Sequence, residues 1–273
     1  MVTKKKLEDK LIEGFTTEEA KAILKAFRSK PEEEKKTYNL IGNSFKFGII
    51  SDTHIGHKNY DEGMMDLAAK EFNKRKVDFV LHCGDVCDGL YTNSRPEQIY
   101  ELNQVGLDQQ LEKAISELGK IEQPLYFITG NHSQNTFMKY AGIEIGKHID
   151  KALENAHFLG NANGNITLDD GLKINLLHPD GGTAYALSYR PQKIAESLSG
   201  GSKPNIMCIG HFHKAEYLFY RNIHIYQAGT FESQTNFMKN KNLSAHKSFW
   251  IVDLRIKNGE VKKIQSTLYP FYD

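Results

Sequence analysis

The stretch Phe47-Gly48-Ile49-Ile50-Ser51-Asp52-Thr53-His54 sets the pattern that decides the fold of this 273-residue chain. A short apolar run ends there in a small polar residue, and an Asp and a His follow two positions apart. Such a run, bounded by polar and glycine residues, predicts a buried strand. Asp52 and His54 then lie just past the C-terminal end of that strand, where ligands and chemistry collect in layered α/β proteins.

The same arrangement recurs at four other places along the chain. An apolar run at 79–81, 125–128, 174–177 or 206–209 precedes, in turn, Gly84-Asp85, Gly130-Asn131-His132, His178 and Gly210-His211-Phe212-His213. We call these four segments, together with Asp52-Thr53-His54, the five islands. The pattern predicts that side chains from five distant segments meet at one place.

Composition excludes several classes of protein. Charged residues are 25% and hydrophobic residues 40% of the chain, as in ordinary globular proteins, and the net charge of +1 gives no overall basic field for nucleic acid. No apolar stretch approaches the roughly 20 residues that span a bilayer, and the charged N-terminus is not a secretory signal. The odd count of three cysteines argues against a disulfide framework and predicts a reducing, cytoplasmic location.

The chain divides into an N-terminal extension, residues 1–37, and a main domain, residues 38–273. Segments 6–13 and 17–28 are predicted helices; Thr17 is a plausible N-cap, and Pro31 ends the second helix. Their apolar stripe is more typical of a docking face than of a DNA-reading helix. The main domain alternates strands and helices and then changes to hairpins after residue 163. This order predicts a pair of mixed sheets with helices outside.

The residue types of the islands indicate divalent metal ions. Two Asp, one Asn and four His are available in addition to His132, and seven ligands are too many for one tetrahedral zinc-like ion. They suit two ions that share a bridging carboxylate. Such a centre clamps a phosphoryl group and activates water, so the sequence predicts hydrolysis at phosphorus.

The ordered islands resemble those of the calcineurin-like metallophosphoesterase superfamily over residues from about 45 to 230. The resemblance implies a four-layer α/β/β/α sandwich with two mixed sheets. It implies that one metal is held by Asp52, His54 and His213, that a second is held by Asn131, His178 and His211, and that Asp85 bridges them. It also implies attack by metal-bound hydroxide, with His132 as the general acid. Manganese is the expected ion, with iron, zinc or nickel as alternatives.

Two departures from the family pattern carry information. Ser133 stands where the family usually has the Asp or Glu that orients the histidine before it. A serine hydroxyl can hold a ring N–H of His132 but cannot stabilise its protonated form as a carboxylate does. Asp88-Gly89 and Thr129 replace arginine-containing signatures of the Ser/Thr protein phosphatases. In contrast, Ser51 to Gly56 resembles the opening motif of repair exonucleases and other phosphodiesterases, and segments 188–193 and 228–231 resemble phosphoesterases carried by phages.

The sequence therefore predicts a phosphodiesterase acting on nucleic acid, DNA or RNA, or on nucleotides. The alternatives are a phosphomonoesterase and a catalytically idle scaffold of the same fold. A homodimer is a further expectation. The candidate substrate contacts outside the islands are His57, Asn93, Arg95 and Arg190, whereas Asp88 is expected to form hydrogen bonds within its own loop.

Overall fold

A computed structural model describes residues 38–91 and 94–272 of the chain. The predicted helices of the N-terminal extension and the candidate contact Asn93 lie outside these residues. Among the described residues no helix is long and apolar enough to cross a membrane.

Twelve strands and six α-helices alternate along the described chain. The strands are β1 (Asn39–Leu40), β2 (Ser44–Ile50), β3 (Phe79–Cys83), β4 (Leu125–Ile128), β5 (Ala156–Gly160), β6 (Asn163–Leu168), β7 (Lys173–Leu177), β8 (Ile206–Ile209), β9 (Ala215–Tyr220), β10 (Ile223–Ala228), β11 (Ser248–Lys257) and β12 (Glu260–Pro270). The helices are α1 (Glu62–Arg75), α2 (Leu107–Leu118), α3 (Gly130–Ser133), α4 (Ile145–Ala152), α5 (Tyr189–Ser197) and α6 (Asn236–Asn240). A π-helix (Gln134–Ala141) continues α3, and 3-10 turns occupy Pro96–Glu101, Asp169–Gly171 and Gly200–Ser202.

The strands form two mixed six-stranded sheets. The first sheet has the order β12-β11-β2-β3-β4-β5, and β2 to β5 are parallel within it. The second sheet has the order β1-β6-β7-β8-β10-β9, in which β7, β8 and β10 are parallel. The carboxyl ends of parallel strands meet at one edge of each sheet, so this topology collects the five islands at two neighbouring edges.

Three layers of buried side chains separate four layers of structure. One lies between the first sheet and helices α1, α2 and α4, and it includes Phe72, Leu118 and Ile149. The second lies between the two sheets, and the third packs α5 against the second sheet through Ala195 and Met207. The predicted α/β/β/α sandwich is confirmed.

Strand β2 shows how the sequence produces this layering. Phe45, Phe47 and Ile49 alternate along the strand and all belong to the apolar layer between the sheets, as the two-residue period of a strand requires. Gly48 faces the helices, where a Cβ atom would lie 2.6 Å from the ring of Phe72. Glycine at this position therefore lets α1 approach the sheet closely.

Candidate metal centre

Backbone turns at the ends of the strands direct the island side chains into one site. Five non-glycine island residues have left-handed backbone, namely Asp52 (φ 50°), His54 (φ 45°), Asp85 (φ 49°), His211 (φ 77°) and His213 (φ 53°). Left-handed backbone is uncommon in residues other than glycine, and each instance costs about 1–3 kcal/mol of strain. Backbone strain of this kind clusters at functional sites, so these five residues identify the turns as part of a candidate functional site.

Two island glycines permit the close packing of the segments. A Cβ atom on Gly130, whose φ is +81°, would lie 2.1 Å from the backbone nitrogen of Asp85. A Cβ atom on Gly84, whose φ is +102°, would lie 2.3 Å from Nδ1 of His178. Because real side chains do not tolerate such distances, only glycine fits at either position.

The first group of side chains contains Asp52, His54 and His213. Nε2 of His213 lies 3.3 Å from Oδ1 of Asp52 and 3.0 Å from Nε2 of His54. Nε2 of His54 lies 3.9 Å from Oδ1 of Asp52. These atoms lie close enough together to serve as ligands of one ion.

The second group contains Asp85, Asn131, His178 and His211. Nε2 of His178 lies 2.9 Å from Oδ2 of Asp85 and 3.0 Å from Oδ1 of Asn131. The His211 ring centroid is 5.2 Å from that of His178, and ligand atoms of Asp85, His178 and His211 fall within one small volume. Asp85 Oδ2 is also 3.9 Å from Nε2 of His54, so this carboxylate lies between the two groups.

The hydrogen bonds of the imidazoles fit metal binding. His54 donates from Nδ1 to Asp88 Oδ1 at 3.0 Å, and His178 donates from Nδ1 to the carbonyl of Cys83 at 2.8 Å. His211 donates from Nε2 to the carbonyl of Gly181 at 2.6 Å. Each ring is thus oriented by a hydrogen bond from one nitrogen, which leaves the other nitrogen for a metal ion, as in metal-binding histidines. His213 Nδ1 is buried without a hydrogen-bond partner among the described residues.

The carboxylates of the site are ionised. Burial by itself raises the pKa of Asp52, but His213 and His178 together outweigh it and lower the pKa to about 2. Burial has the same effect on Asp85, where His178 and His132 hold the pKa well below its usual value. The backbone N–H of His211 also donates to Oδ2 of Asp52 at 2.9 Å, which fixes that carboxylate.

His132 lies beside the two groups and is oriented by Asp88. Its Nδ1 donates to the carbonyl of Asp88 at 2.6 Å and lies 3.4 Å from Oδ1 of the same residue. Its Nε2 lies 3.9 Å from Oδ2 of Asp85. Burial alone lowers the pKa of His132, but the carboxylates of Asp85 and Asp88 outweigh it and raise the pKa to about 9.

Ser133 and Asp88 have roles that the sequence did not reveal. The Ser133 hydroxyl donates to the carbonyl of Thr129 at 3.0 Å, one helical turn back, which occupies its proton. Asp88, expected to bond within its loop, instead accepts from His54 and Gln98 and supports His132. The sequence did contain a signal for Asp88. In Gly84-Asp85-Val86-Cys87-Asp88, a second carboxylate follows Asp85 in the same loop.

A cavity of about 410 Å³ opens over these groups. The candidate contacts His57 and Arg95 line it, whereas Arg190 is absent from its lining. The Arg190 side chain instead donates from Nη2 to the carbonyl of Asp180 at 2.7 Å and stacks over Phe212. Arg190 therefore shapes the loop that carries Asp180 and Gly181 to the cavity.

Glu232 is a cavity residue that the sequence analysis did not select. It is 2% exposed, and burial together with the nearby carboxylates raises its pKa well above the usual value. Its Oε1 lies 3.0 Å from Nδ1 of His57, but that nitrogen already accepts the N–H of Asn59. Oε1 of Glu232 has no hydrogen-bond partner within the described ranges.

Sequence comparisons match the chain to a protein family and to a curated protein. The sequence model of the calcineurin-like phosphoesterase superfamily domain matches residues 45–237. The DNA polymerase II small subunit of Methanothermobacter thermautotrophicus is 23% identical over 245 residues, covering 73% of this chain and 50% of its own. The chain thus spans about half the length of this curated relative.

Solved structures with similar folds have little sequence in common with the chain. A novel archaeal phosphodiesterase is 17% identical, with a TM-score of 0.46 over 82% of this chain and 99% of its own. Vps29 of Entamoeba histolytica, solved with zinc, is 13% identical, with a TM-score of 0.43 over 83% of this chain and 99% of its own. Another solved structure, 11% identical, reaches a TM-score of 0.52 over 84% of this chain and 100% of its own.

Proposed function

This chain belongs to the calcineurin-like phosphoesterase superfamily and is a metal-dependent phosphoesterase, and we propose that it hydrolyses phosphodiesters in nucleic acid or nucleotides. The observation that carries the proposal is the position of Asp85. Its carboxylate lies between two groups of buried ligand-type side chains, and His132 stands 3.9 Å from it.

We assign the residues of the two groups to two divalent cations. Asp52, His54 and His213 would hold one cation and Asn131, His178 and His211 the other, with Asp85 shared between them. When bound, such a pair polarises the phosphoryl oxygens and activates a water molecule. The mixture of imidazole and oxygen donors suits manganese, and iron, zinc and nickel are the competing ions.

His132 is proposed to deliver a proton to the leaving oxygen. Because Nδ1 is held by the Asp88 carbonyl, the ring is fixed in orientation and Nε2 carries the transferable proton. Asp85 and Asp88 favour the protonated ring, as the raised pKa indicates. Asp88 thus supplies the support that Ser133 does not provide, and proton transfer of this kind contributes about 10²–10⁴-fold to a rate.

A diester substrate is favoured by the shape of the cavity. A phosphodiester carries a second substituent, and the cavity extends from the ligand groups to a wall formed by Phe237, Met238 and Leu243. The curated relative is a subunit of a DNA polymerase by name, which supports a nucleic-acid context.

Hydrolysis of bis-p-nitrophenyl phosphate and of p-nitrophenyl phosphate by the full chain, with manganese added, tests the proposal. The diester should be cleaved with the higher kcat/KM. Cleavage of the monoester alone, with no divalent metal supporting diester hydrolysis, would sink the assignment. Elemental analysis of the purified protein identifies the ions.

Asp85→Asn separates the enzyme from a catalytically idle scaffold. The amide keeps an oxygen for the backbone N–H of His132, which Asp85 Oδ1 accepts at 3.0 Å, but it removes the shared charge. Activity should be lost in this variant, whereas a scaffold would keep its partner binding. Asp253→Asn, at a surface carboxylate paired with Lys46, is the matched control and should keep full activity.

Two further proposals concern the N-terminal extension and the cellular location of the protein. Residues 1–37 are proposed to mediate binding to nucleic acid or self-association into a homodimer, and deletion of residues 1–37 should reduce one or the other. Unchanged nucleic-acid affinity and unchanged oligomer size would dismiss both roles. The three buried free cysteines support a reducing, cytoplasmic location, which cell fractionation would test.

A further inference from the structure

One wall of the cavity, beside the two ligand groups, combines apolar and charged side chains. It is built by Phe237 and Met238 of α6, by Leu243, and by Arg95 and Glu232. Phe237 is 48% exposed, although its neighbour Met238 is only 7% exposed. An aromatic ring left half open inside a cavity offers one face to a planar ligand.

Arg95 links this wall to the reaction centre through a series of planar groups. Its guanidinium lies 4.6 Å from the ring centroid of Tyr91 and 5.5 Å from that of Phe237. The Tyr91 ring in turn lies 5.2 Å from the ring of His132 in an edge-on contact. His132, Arg95 and Phe237 all line the cavity, so a substituent that starts at the leaving oxygen near His132 would run past Arg95 toward Phe237.

Glu232 adds a polar group with an unsatisfied atom to the same wall. Its side chain is 2% exposed and lines the cavity, and Oε1 has no hydrogen-bond partner in the described part of the chain. A buried carboxyl oxygen without a hydrogen-bond partner destabilises the fold. A ligand hydroxyl or amino group would donate a hydrogen bond to this oxygen, whereas a purely apolar ligand would leave it unpaired.

We propose that Phe237, Arg95 and Glu232 form a nucleoside subsite, in which a base stacks on Phe237 and a sugar hydroxyl or base amino group pairs with Glu232. This rests on the proposed diesterase function and specifies its substrate: the ester substituent next to His132 is a nucleoside. Stacking explains the open ring and the arginine plane, and the polar edge of a nucleoside explains the unpaired carboxyl.

Cleavage of the dinucleotide d(ApA) by the manganese-loaded full chain tests the subsite. It is compared with two analogues in which one or the other base is replaced by an abasic tetrahydrofuran. Removing the base that occupies the subsite should raise KM about tenfold, the scale of one base–aromatic stack. Phe237→Ala should raise KM for d(ApA) by a similar factor and remove the difference between d(ApA) and that analogue. Phe237→Tyr should preserve the difference.

Phe219→Ala is the matched control, because Phe219 is a 56% exposed aromatic on β9 outside the cavity lining. It should keep the wild-type ratio of KM values. Equal KM values for d(ApA) and both analogues in the wild-type protein would overturn the subsite, as would equal effects of Phe237→Ala on all three substrates.

Binding of adenosine, which has no phosphate, separates this inference from the proposed reaction. Ligand-observed NMR should detect adenosine but not ribose on the wild-type chain, with affinity about tenfold weaker in Phe237→Ala. If no phosphodiester is cleaved but this difference is present, the proposed reaction fails and the subsite stands. If adenosine binds equally to both proteins or to neither, the subsite is wrong.

Discussion

Replacing Asp88 by Asn tests whether one carboxylate orients both a metal ligand and the proton donor. Asp88 Oδ1 accepts from His54 Nδ1 at 3.0 Å, and Oδ2 accepts from Gln98 Nε2. An asparagine replaces one of these two oxygens by an NH₂ group, which donates and cannot accept a hydrogen bond. The donor nitrogen of either Gln98 or His54 then faces this NH₂ group, which is itself a donor. His54 can avoid this by moving its proton to Nε2, the nitrogen that would bind metal.

The expected loss follows from these contacts. Removing the partner that orients a metal-binding histidine costs about 10–100-fold in metal affinity or activity. The loss of negative charge 3.4 Å from His132 Nδ1 also disfavours the protonated form of His132, so less of the proton donor is present. We therefore expect Asp88→Asn to require about 10–100-fold more manganese for half-maximal activity. Its kcat at saturating manganese should also be lower.

The assay is hydrolysis of a phosphodiester as a function of manganese concentration, which separates metal affinity from kcat. Ser133→Ala is the control, since the hydroxyl of Ser133 donates to Thr129 and not to the His132 ring. It should behave as the wild type does. Wild-type metal dependence and kcat in Asp88→Asn would refute the orienting role, and a large loss in Ser133→Ala would show that the serine supports the site.

Three other predictions address the proton donor, a buried charge and the close packing of the islands. His132→Gln should slow cleavage of a dinucleotide about 10²–10⁴-fold but affect bis-p-nitrophenyl phosphate far less, because p-nitrophenolate leaves readily without a proton; equal losses on both substrates would contradict the acid role. Glu117, which is buried, has a lowered pKa because two lysines outweigh burial, so its ionised form stabilises the fold above pH 4.5 and this stability is lost as pH falls further. Glu117→Gln should therefore cost about 1–3 kcal/mol at pH 7 in urea unfolding, and the difference should shrink below pH 4.5; a constant difference would contradict it. Gly130→Ala should lower the melting temperature and metal content, since its Cβ atom meets Asp85, whereas Gly142→Ala, at φ +66° with no atom within 4 Å, should bear only the backbone cost of about 1–2 kcal/mol; equal losses would refute the steric argument.

Much of the fold could be predicted because its signals are local. The apolar run before each island forms a strand, as in β3 (Phe79–Cys83) and β8 (Ile206–Ile209). One of the hairpins predicted after residue 163 turns at Arg221-Asn222, and both residues have the positive φ that a two-residue turn requires. Pairing between strands that are far apart in sequence is harder to predict. Nothing in the sequence of β11 indicates that it lies beside β2, some 200 residues earlier.

The candidate site divides in the same way. The island residues were selected because each follows a strand, and the structure brings them together, although their roles as ligands remain a prediction. Asp88 and Glu232 were misjudged or missed because their importance arises from contacts with His54, His132 and the cavity. These contacts join segments that are far apart in sequence, so no local spacing of residues predicts them.

The left-handed backbone of the five island residues destabilises the fold unless bound cations offset the strain. At about 1–3 kcal/mol each, the accumulated strain is comparable with the whole stability of a typical domain. Cations that bind only the folded chain repay part of it, so the melting temperature should report metal occupancy without any substrate. Glycine at positions such as Asp52 or His211 would relieve the strain while removing a ligand. Such substitutions would therefore raise thermal stability at the expense of the centre, which is the usual trade-off between stability and activity.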